Sequence, residues 1–139
     1  TDMAGQFDAG MARLIADLRA DGLLDETLII AQGEFGRTIG PLNGNGGRDH
    51  YPQQSVFFAG GRTKGGRAIG STDSEGRSTD DPGWSRDRHV RAEDIEATIY
   101  SALGIDWTTL RKDNRFGRGF EYVPSSNEDL YGPVDELWT

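Results

Sequence analysis

The stretch TLIIA, Thr27–Ala31, is the part of the sequence that predicts the fold. It is short, continuously apolar and rich in β-branched residues, a pattern typical of a strand buried on both faces, as in a parallel sheet. A second run of this kind, SVFFA at Ser55–Ala59, ends at two glycines, and Ala68–Ile69 is a third, shorter candidate. The sequence therefore predicts two or three strands in the core of one sheet.

Helices are predicted on either side of these strands. Between Gln6 and Ala20 the apolar residues recur at intervals of four, three, one and three, which places them on one helix face, and Gly22 can end this helix. A second helix is predicted over Arg91–Leu103, with acidic residues in its first turn. The order helix, strand, long loop, strand, strand, helix predicts an α/β fold: part of a mostly parallel sheet with flanking helices.

Two segments lack this periodicity. Residues 72–88 are predicted to form an irregular polar loop, and residues 105–139 an irregular C-terminal strap packed on the body. The 139 residues fit one domain or part of one, but so few strands and helices cannot enclose a buried sheet. We therefore expect residues 1–139 to be the C-terminal portion of a single domain whose N-terminal half is absent and would be its partner.

Composition excludes several classes of function. The net charge of -8 disfavours nucleic acid as a partner, because binding to a phosphate backbone relies on clustered Lys and Arg. No apolar run approaches the length that spans a bilayer, so no transmembrane segment is expected. Without cysteine there is no disulfide and no thiolate-bound zinc, so any metal must use oxygen and nitrogen ligands. Oligomeric state is left open.

The loop Gly33–Pro52 holds the candidate metal ligands. Glu34 directly follows the first predicted strand, and reactive groups in open α/β sheets lie beyond the carboxyl ends of strands. The glycine-rich loop can fold back so that Glu34, Asp49 and His50 converge. Carboxylate and imidazole would suit Zn, Mn or Fe ions, and the acidic loop after residue 72 could hold a Ca²⁺ ion. Alternatively, Glu34 caps a turn, His50 is a packed histidine and the acids are merely solvated.

The same loop contains a candidate anion site. Arg37, Arg48 and Asn45, with backbone N–H groups made accessible by the glycines of Gly44–Gly47, could hold a phosphate or sulfate group. Without a ligand, Arg48 is expected to pair with a carboxylate, for which Glu34 is the best placed. The alternative is an ordinary tight surface loop, which uses the same Gly and Asn residues.

Five ordered motifs resemble the C-terminal part of a secreted bacterial family, domain of unknown function 1501. They are LLDETLIIAQGEFGRT, NGNGGRDHYP, SVFFAGGRTKGGRAIGSTD, EDIEATIYSALGID and GPVDELW. This family is grouped with the alkaline phosphatase and sulfatase superfamily, whose members bind one or two divalent metals at the carboxyl ends of a mostly parallel sheet. The resemblance implies an alkaline phosphatase-like fold and a periplasmic or extracellular location.

The resemblance also implies roles for individual residues. Glu34 takes the place, after a strand, where superfamily enzymes have an Asp-His metal pair, and His50 resembles their later ligand histidine. Phe35 departs from the pattern, since it stands where a second ligand would be. The nucleophile is expected upstream, so this chain contains no catalytic residue of its own. The implied function is a metal-dependent phosphate or sulfate ester hydrolase; the alternative is a non-catalytic secreted binding or assembly module.

Overall fold

The computed structural model of the protein describes residues 2–113, 115–124 and 130–139. The chain forms two compact units. The first unit comprises Thr1–Arg67, Thr72–Ser78 and Trp138, and the second comprises Ala68–Ser71, Thr79–Leu137 and Thr139.

The first unit contains one long helix and two pairs of strands. In chain order its elements are α1 (Met3–Ala20), a 3-10 helix (Leu24–Glu26), β1 (Leu28–Gln32), β2 (Gly36–Arg37), β3 (His50–Tyr51) and β4 (Val56–Gly60). The predicted first helix is confirmed, with three more residues at its start. Gly22 ends it as expected: its φ of 73° is left-handed, and its N–H donates to the Arg19 carbonyl at 3.2 Å.

The predicted mostly parallel sheet with flanking helices is wrong. Strands β1 and β4 form an antiparallel two-stranded sheet with Leu28 opposite Gly60 and Gln32 opposite Val56, and no sheet in the described ranges has more than two strands. A parallel pair needs a crossover connection, usually a helix. The connection between β1 and β4 instead folds into its own hairpin, β2–β3, and returns the chain beside β1 in the opposite direction.

The apolar strands are also less buried than their sequences predict. In β1 only Ile29 is buried, with 8% of its surface exposed, and in β4 Phe57 is 45% exposed. An uninterrupted apolar run therefore indicated a strand correctly, but it did not indicate burial on both faces.

The second unit is built around one helix. Its elements are β6 (Thr79–Asp81), α2 (Ala92–Ala102), β7 (Leu110–Arg111), β8 (Phe120–Glu121) and a 3-10 helix (Asp135–Leu137), while β5 (Ser71–Thr72) lies just before the loop 73–78. The second helix is confirmed to within one residue at each end. Ala68–Ile69 is not a strand, and the segment 72–88 is interrupted by β6.

The core of the second unit combines apolar and polar groups. Ala97, Val123 and Val134 are buried, and Thr98 on α2 accepts the N–H of Val134 at 2.9 Å. The segment predicted as a strap thus supplies core residues from both sides of the undescribed positions 125–129, and it also contains the antiparallel pair β7–β8.

A buried ion pair fixes the start of α2. Asp94 is fully buried and accepts two hydrogen bonds from the Arg88 guanidinium, at 2.6 and 2.8 Å. It also accepts the N–H groups of Arg91, at 2.8 Å, and Gly132, at 3.0 Å. Burial would raise the pKa of Asp94, but these hydrogen bonds outweigh it and the pKa lies below its ordinary value.

Across the described residues, neither helix has the length and hydropathy needed to span a lipid bilayer.

Candidate functional site

The hairpin β2–β3 brings together residues that are more than ten positions apart. Arg37 lies directly opposite His50 in the antiparallel register. One residue further, Thr38 donates its N–H to the Asp49 carbonyl at 3.0 Å, and its hydroxyl accepts the Asp49 N–H at 3.2 Å. Since directly opposed side chains share one face of the pair, Arg37 and His50 are neighbours, whereas the sequence predicted that Glu34, Asp49 and His50 would converge.

Gly36 allows the two strands to approach. A Cβ atom at this position would lie 1.7 Å from the Gln53 carbonyl oxygen and 2.8 Å from the Tyr51 carbonyl oxygen. No real side chain can occupy that space, so the hairpin requires glycine at its first residue.

Asn43 organises the tip of the hairpin. Its side-chain oxygen accepts the N–H groups of Asn45, at 3.1 Å, and Gly47, at 2.9 Å, while its carbonyl accepts the N–H of Gly46 at 2.9 Å. Its amide group donates to the Asp49 carboxylate at 3.1 Å. Of the backbone donors expected to bind an anion, those of Gly46 and Gly47 are therefore engaged within the loop. The sequence contained a signal for this turn, because Asn43 precedes a glycine and Asn before Gly favours turns of this kind.

Each of the two arginines of the hairpin donates a hydrogen bond to a backbone carbonyl on the opposite side of the hairpin. Arg37 Nη1 donates to the Arg48 carbonyl at 3.3 Å, and Arg48 Nη1 donates to the Thr38 carbonyl at 2.7 Å. Both side chains are exposed, and among the described residues neither forms an ion pair. The expected pair between Arg48 and Glu34 is thus replaced by a bond to backbone. Each guanidinium has five N–H donors, so most of them remain directed at solvent.

Phe35 forms the platform of the site. Its ring centroid lies 4.1 Å from that of His50, with the planes tilted by 44°, and 4.6 Å from Arg37 Cζ. This distance from Arg37 is within the range of a cation–π interaction. The residue that departs from the metal-ligand pattern therefore positions an arginine and the histidine.

The carboxylates of the hairpin do not complete a metal site. Glu34 is exposed, and Asp49 holds Asn43. Over residues 2–113, 115–124 and 130–139 no group of three or more His, Asp or Glu side chains is arranged so that it could hold a metal ion. The described residues therefore do not fit a self-contained metal centre, and Glu34 and His50 would be only part of a ligand set.

The acidic loop after β5 uses its carboxylate internally. Asp73 accepts the N–H groups of Glu75, Arg77 and Ser78 at 2.9 to 3.0 Å and the Ser78 hydroxyl at 2.7 Å. Led by the bond from Arg77, these contacts lower the pKa of Asp73 to about 2. The geometry is that of a turn closed by its own aspartate.

Most of the chain corresponds to a known family. The chain matches the family described as Protein of unknown function (DUF1501) over residues 1–127, and it belongs to that family. Neither the curated proteins nor the solved structures yield a match.

Proposed function

We propose that the hairpin of residues 33–52 is an anion-binding element that receives the phosphate or sulfate group of an ester. The observation that carries this proposal is the arrangement of Arg37 and Arg48, two exposed guanidinium groups fixed by opposite backbone carbonyls and not paired with any described carboxylate. A charge that is held in place yet not neutralised is ready to bind an anion.

The chemistry of the donors narrows the choice of ligand. A guanidinium presents parallel N–H groups that match two oxygens of a phosphate or sulfate, which a single ammonium cannot do. His50, opposite Arg37, adds a ring nitrogen on the same face. Asn45 is exposed at the tip and can add a side-chain amide. A guanidinium also pairs with a carboxylate in this way, so the choice of a tetrahedral anion rests on the resemblance of the family to phosphate and sulfate ester hydrolases.

The reaction proposed for the whole protein is metal-dependent hydrolysis of such an ester in an exported protein. This rests on the resemblance of the family to the alkaline phosphatase and sulfatase superfamily, not on the sheet, which differs from the one that the resemblance implied. Glu34 and His50 would contribute to a Zn²⁺ or Mn²⁺ site completed by residues elsewhere in the protein. A bound divalent metal would stabilise negative charge developing on the ester.

The test is titration of inorganic phosphate and sulfate by calorimetry. Arg48→Lys should weaken binding at least tenfold, about 1.4 kcal/mol, because lysine cannot form the two-pronged contact. Arg19→Lys, at an exposed position of α1, is the matched control and should bind as the unmodified protein does. Absence of anion binding in the unmodified protein, or equal affinity in Arg48→Lys, would refute the proposal.

A second candidate function, a binding or assembly module, is favoured by the apolar surface of the first unit. No residue of α1 is buried, and Phe7 and Leu14 are 61% and 45% exposed. An open groove of about 820 Å³ runs between α1 and the β1–β4 sheet, lined by Phe7, Met11, Ile30, Ala31, Gln32, Gly33, Ser55, Val56 and Phe57. Contiguous exposed apolar surface marks interaction sites.

For this candidate we propose the N-terminal portion of the same protein as the partner. Amide hydrogen exchange of α1 and β1 should then slow markedly in the longer protein, because their apolar faces become covered. Equal exchange rates in the 139-residue chain and the longer protein would exclude this partner. That outcome would not bear on the anion-binding proposal, which the phosphate and sulfate titration tests separately.

A further inference from the structure

The strand pair β7–β8 carries a charge opposite to that of the chain. The segment LRKDNRFGRGFE, residues 110–121, contains four basic and two acidic residues, whereas the whole chain has a net charge of -8. We refer to residues 110–121 as the basic hairpin. Because charges are screened beyond about 8 Å at physiological salt, a partner touching this hairpin responds to its local positive charge.

The basic hairpin also exposes large apolar side chains. Phe116 is 85% exposed, Phe120 55% and Leu110 49%. Phe116 lies in the turn between the strands, and Gly117 follows it with a φ of 63°. The turn therefore presents an aromatic ring to its surroundings at the end of the hairpin.

Guanidinium groups accompany the exposed rings. Arg115 Cζ lies 5.8 Å from the ring centroid of Phe116, and Arg118 Cζ lies 5.8 Å from that of Phe120. Each pair combines an apolar ring with a cation beside it. This combination suits the boundary between acyl chains and headgroups of a bilayer, where the ring meets hydrocarbon and the cation meets phosphate.

The base of the hairpin is anchored to the second unit. Arg111 donates to the Asp113 carboxylate, with an Nε to Oδ1 distance of 3.1 Å, and to the Tyr122 hydroxyl at 3.3 Å. Tyr122 stacks on Tyr100 of α2, with ring centroids 5.1 Å apart. Arg111 thus links the base of the hairpin to Tyr122 and, through the stacked rings, to α2.

We propose that the basic hairpin docks the protein on a bilayer surface containing anionic phospholipids. The local positive charge of the hairpin is complementary to anionic lipid headgroups. The exposed side chains of Phe116 and Leu110 can contact the acyl chains beneath those headgroups. Nucleic acid is the weaker fit, since an aliphatic side chain offers it no stacking and the acidic remainder of the chain opposes a long polyanion. The docking is peripheral and concerns a surface distinct from the hairpin of residues 33–52.

Vesicle flotation tests this proposal. The protein should float with vesicles of equal parts phosphatidylcholine and phosphatidylglycerol but not with phosphatidylcholine alone, and added salt should release it. Replacing both Arg115 and Arg118 by Gln should lower partitioning roughly thirtyfold, because each basic residue near an anionic surface strengthens binding about fivefold. Phe116→Ser should lower it about tenfold.

Matched controls separate docking from general effects. Arg19→Gln removes an exposed charge and Met3→Ser an exposed apolar side chain, both in the first unit, and neither should change partitioning. Phe116→Trp should show a blue-shifted emission only with anionic vesicles, which tests insertion in a variant that retains the hairpin. Equal binding to neutral vesicles, unchanged partitioning of the hairpin variants, or binding to single-stranded DNA in place of vesicles would overturn the proposal.

Discussion

The ion pair between Arg88 and Asp94 offers the most direct test of how the second unit is held together. Asp94 has no exposed surface, and the side chain of Arg88 is 19% exposed. The pair lies beside Trp84, whose ring centroid is 5.0 Å from Arg88 Cζ and whose Nε1 donates to the Arg88 carbonyl at 2.6 Å. The environment of this tryptophan therefore reports on the pair.

Asp94→Asn should destabilise the second unit by about 3 kcal/mol. Removing one partner of a buried pair costs about 3 to 5 kcal/mol, because the other charge stays desolvated without compensation. The lower end applies here, since asparagine keeps one acceptor oxygen and Arg88 is partly exposed. Urea unfolding followed by near-ultraviolet circular dichroism measures the change. Asp17→Asn, which breaks the exposed pair with Arg13, should cost less than about 1 kcal/mol.

The same pair predicts a pH dependence with a definite sign. Because the pKa of Asp94 is lower in the folded than in the unfolded chain, its stabilisation is fully present above the ordinary value of 3.8. It is lost as the pH falls from that value through the lower folded pKa. In Asp94→Asn this loss should be missing. If Asp94→Asn leaves the free energy of unfolding unchanged at neutral pH, and also leaves its decrease at acidic pH unchanged, the ion pair does not stabilise the second unit.

Two further predictions concern the first unit. Gly36→Ala should disrupt the β2–β3 hairpin, because the added Cβ would overlap the Gln53 carbonyl oxygen. The expected result is loss of the cross-strand NMR contact between Arg37 and His50. Retention of that contact would contradict the structure. Zn²⁺ titration of the longer protein, which would supply the remaining ligands, should detect binding that is lost in both Glu34→Gln and His50→Ala, as expected of two ligands of one metal. Loss in only one variant would exclude the shared site.

The sequence predicted local structure well and chain direction poorly. Both helices were located because their apolar periodicity and glycine end signals are local properties. The direction of β4 relative to β1 depends on the path of residues 33–55, and apolar runs such as TLIIA contain no information about that path. The parallel sheet was inferred from the strands alone, whereas the antiparallel register follows from the hairpin within their connection.

In the candidate site, the sequence identified the charged groups but not the residues that position them. The sequence predicted that a glycine-rich loop would fold back and bring Glu34, Asp49 and His50 together. The loop does fold back, and it places Arg37 opposite His50. Asn43 and Phe35 were overlooked as organisers. Their roles depend on atoms that face each other only after the hairpin closes: an amide oxygen accepting two N–H groups, and a ring between an arginine and a histidine.

The positions of the charges link the anion and metal hypotheses. A divalent cation held by His50 would lie next to Arg37, its cross-strand neighbour, and two like charges at that distance repel each other. A phosphate or sulfate bound by Arg37 and Arg48 would offset this repulsion. Anion and metal should therefore bind cooperatively, and phosphate should strengthen the binding of Zn²⁺ by the same factor by which Zn²⁺ strengthens that of phosphate. Independent binding would separate the two hypotheses, leaving the guanidinium pair as the functional feature of the hairpin.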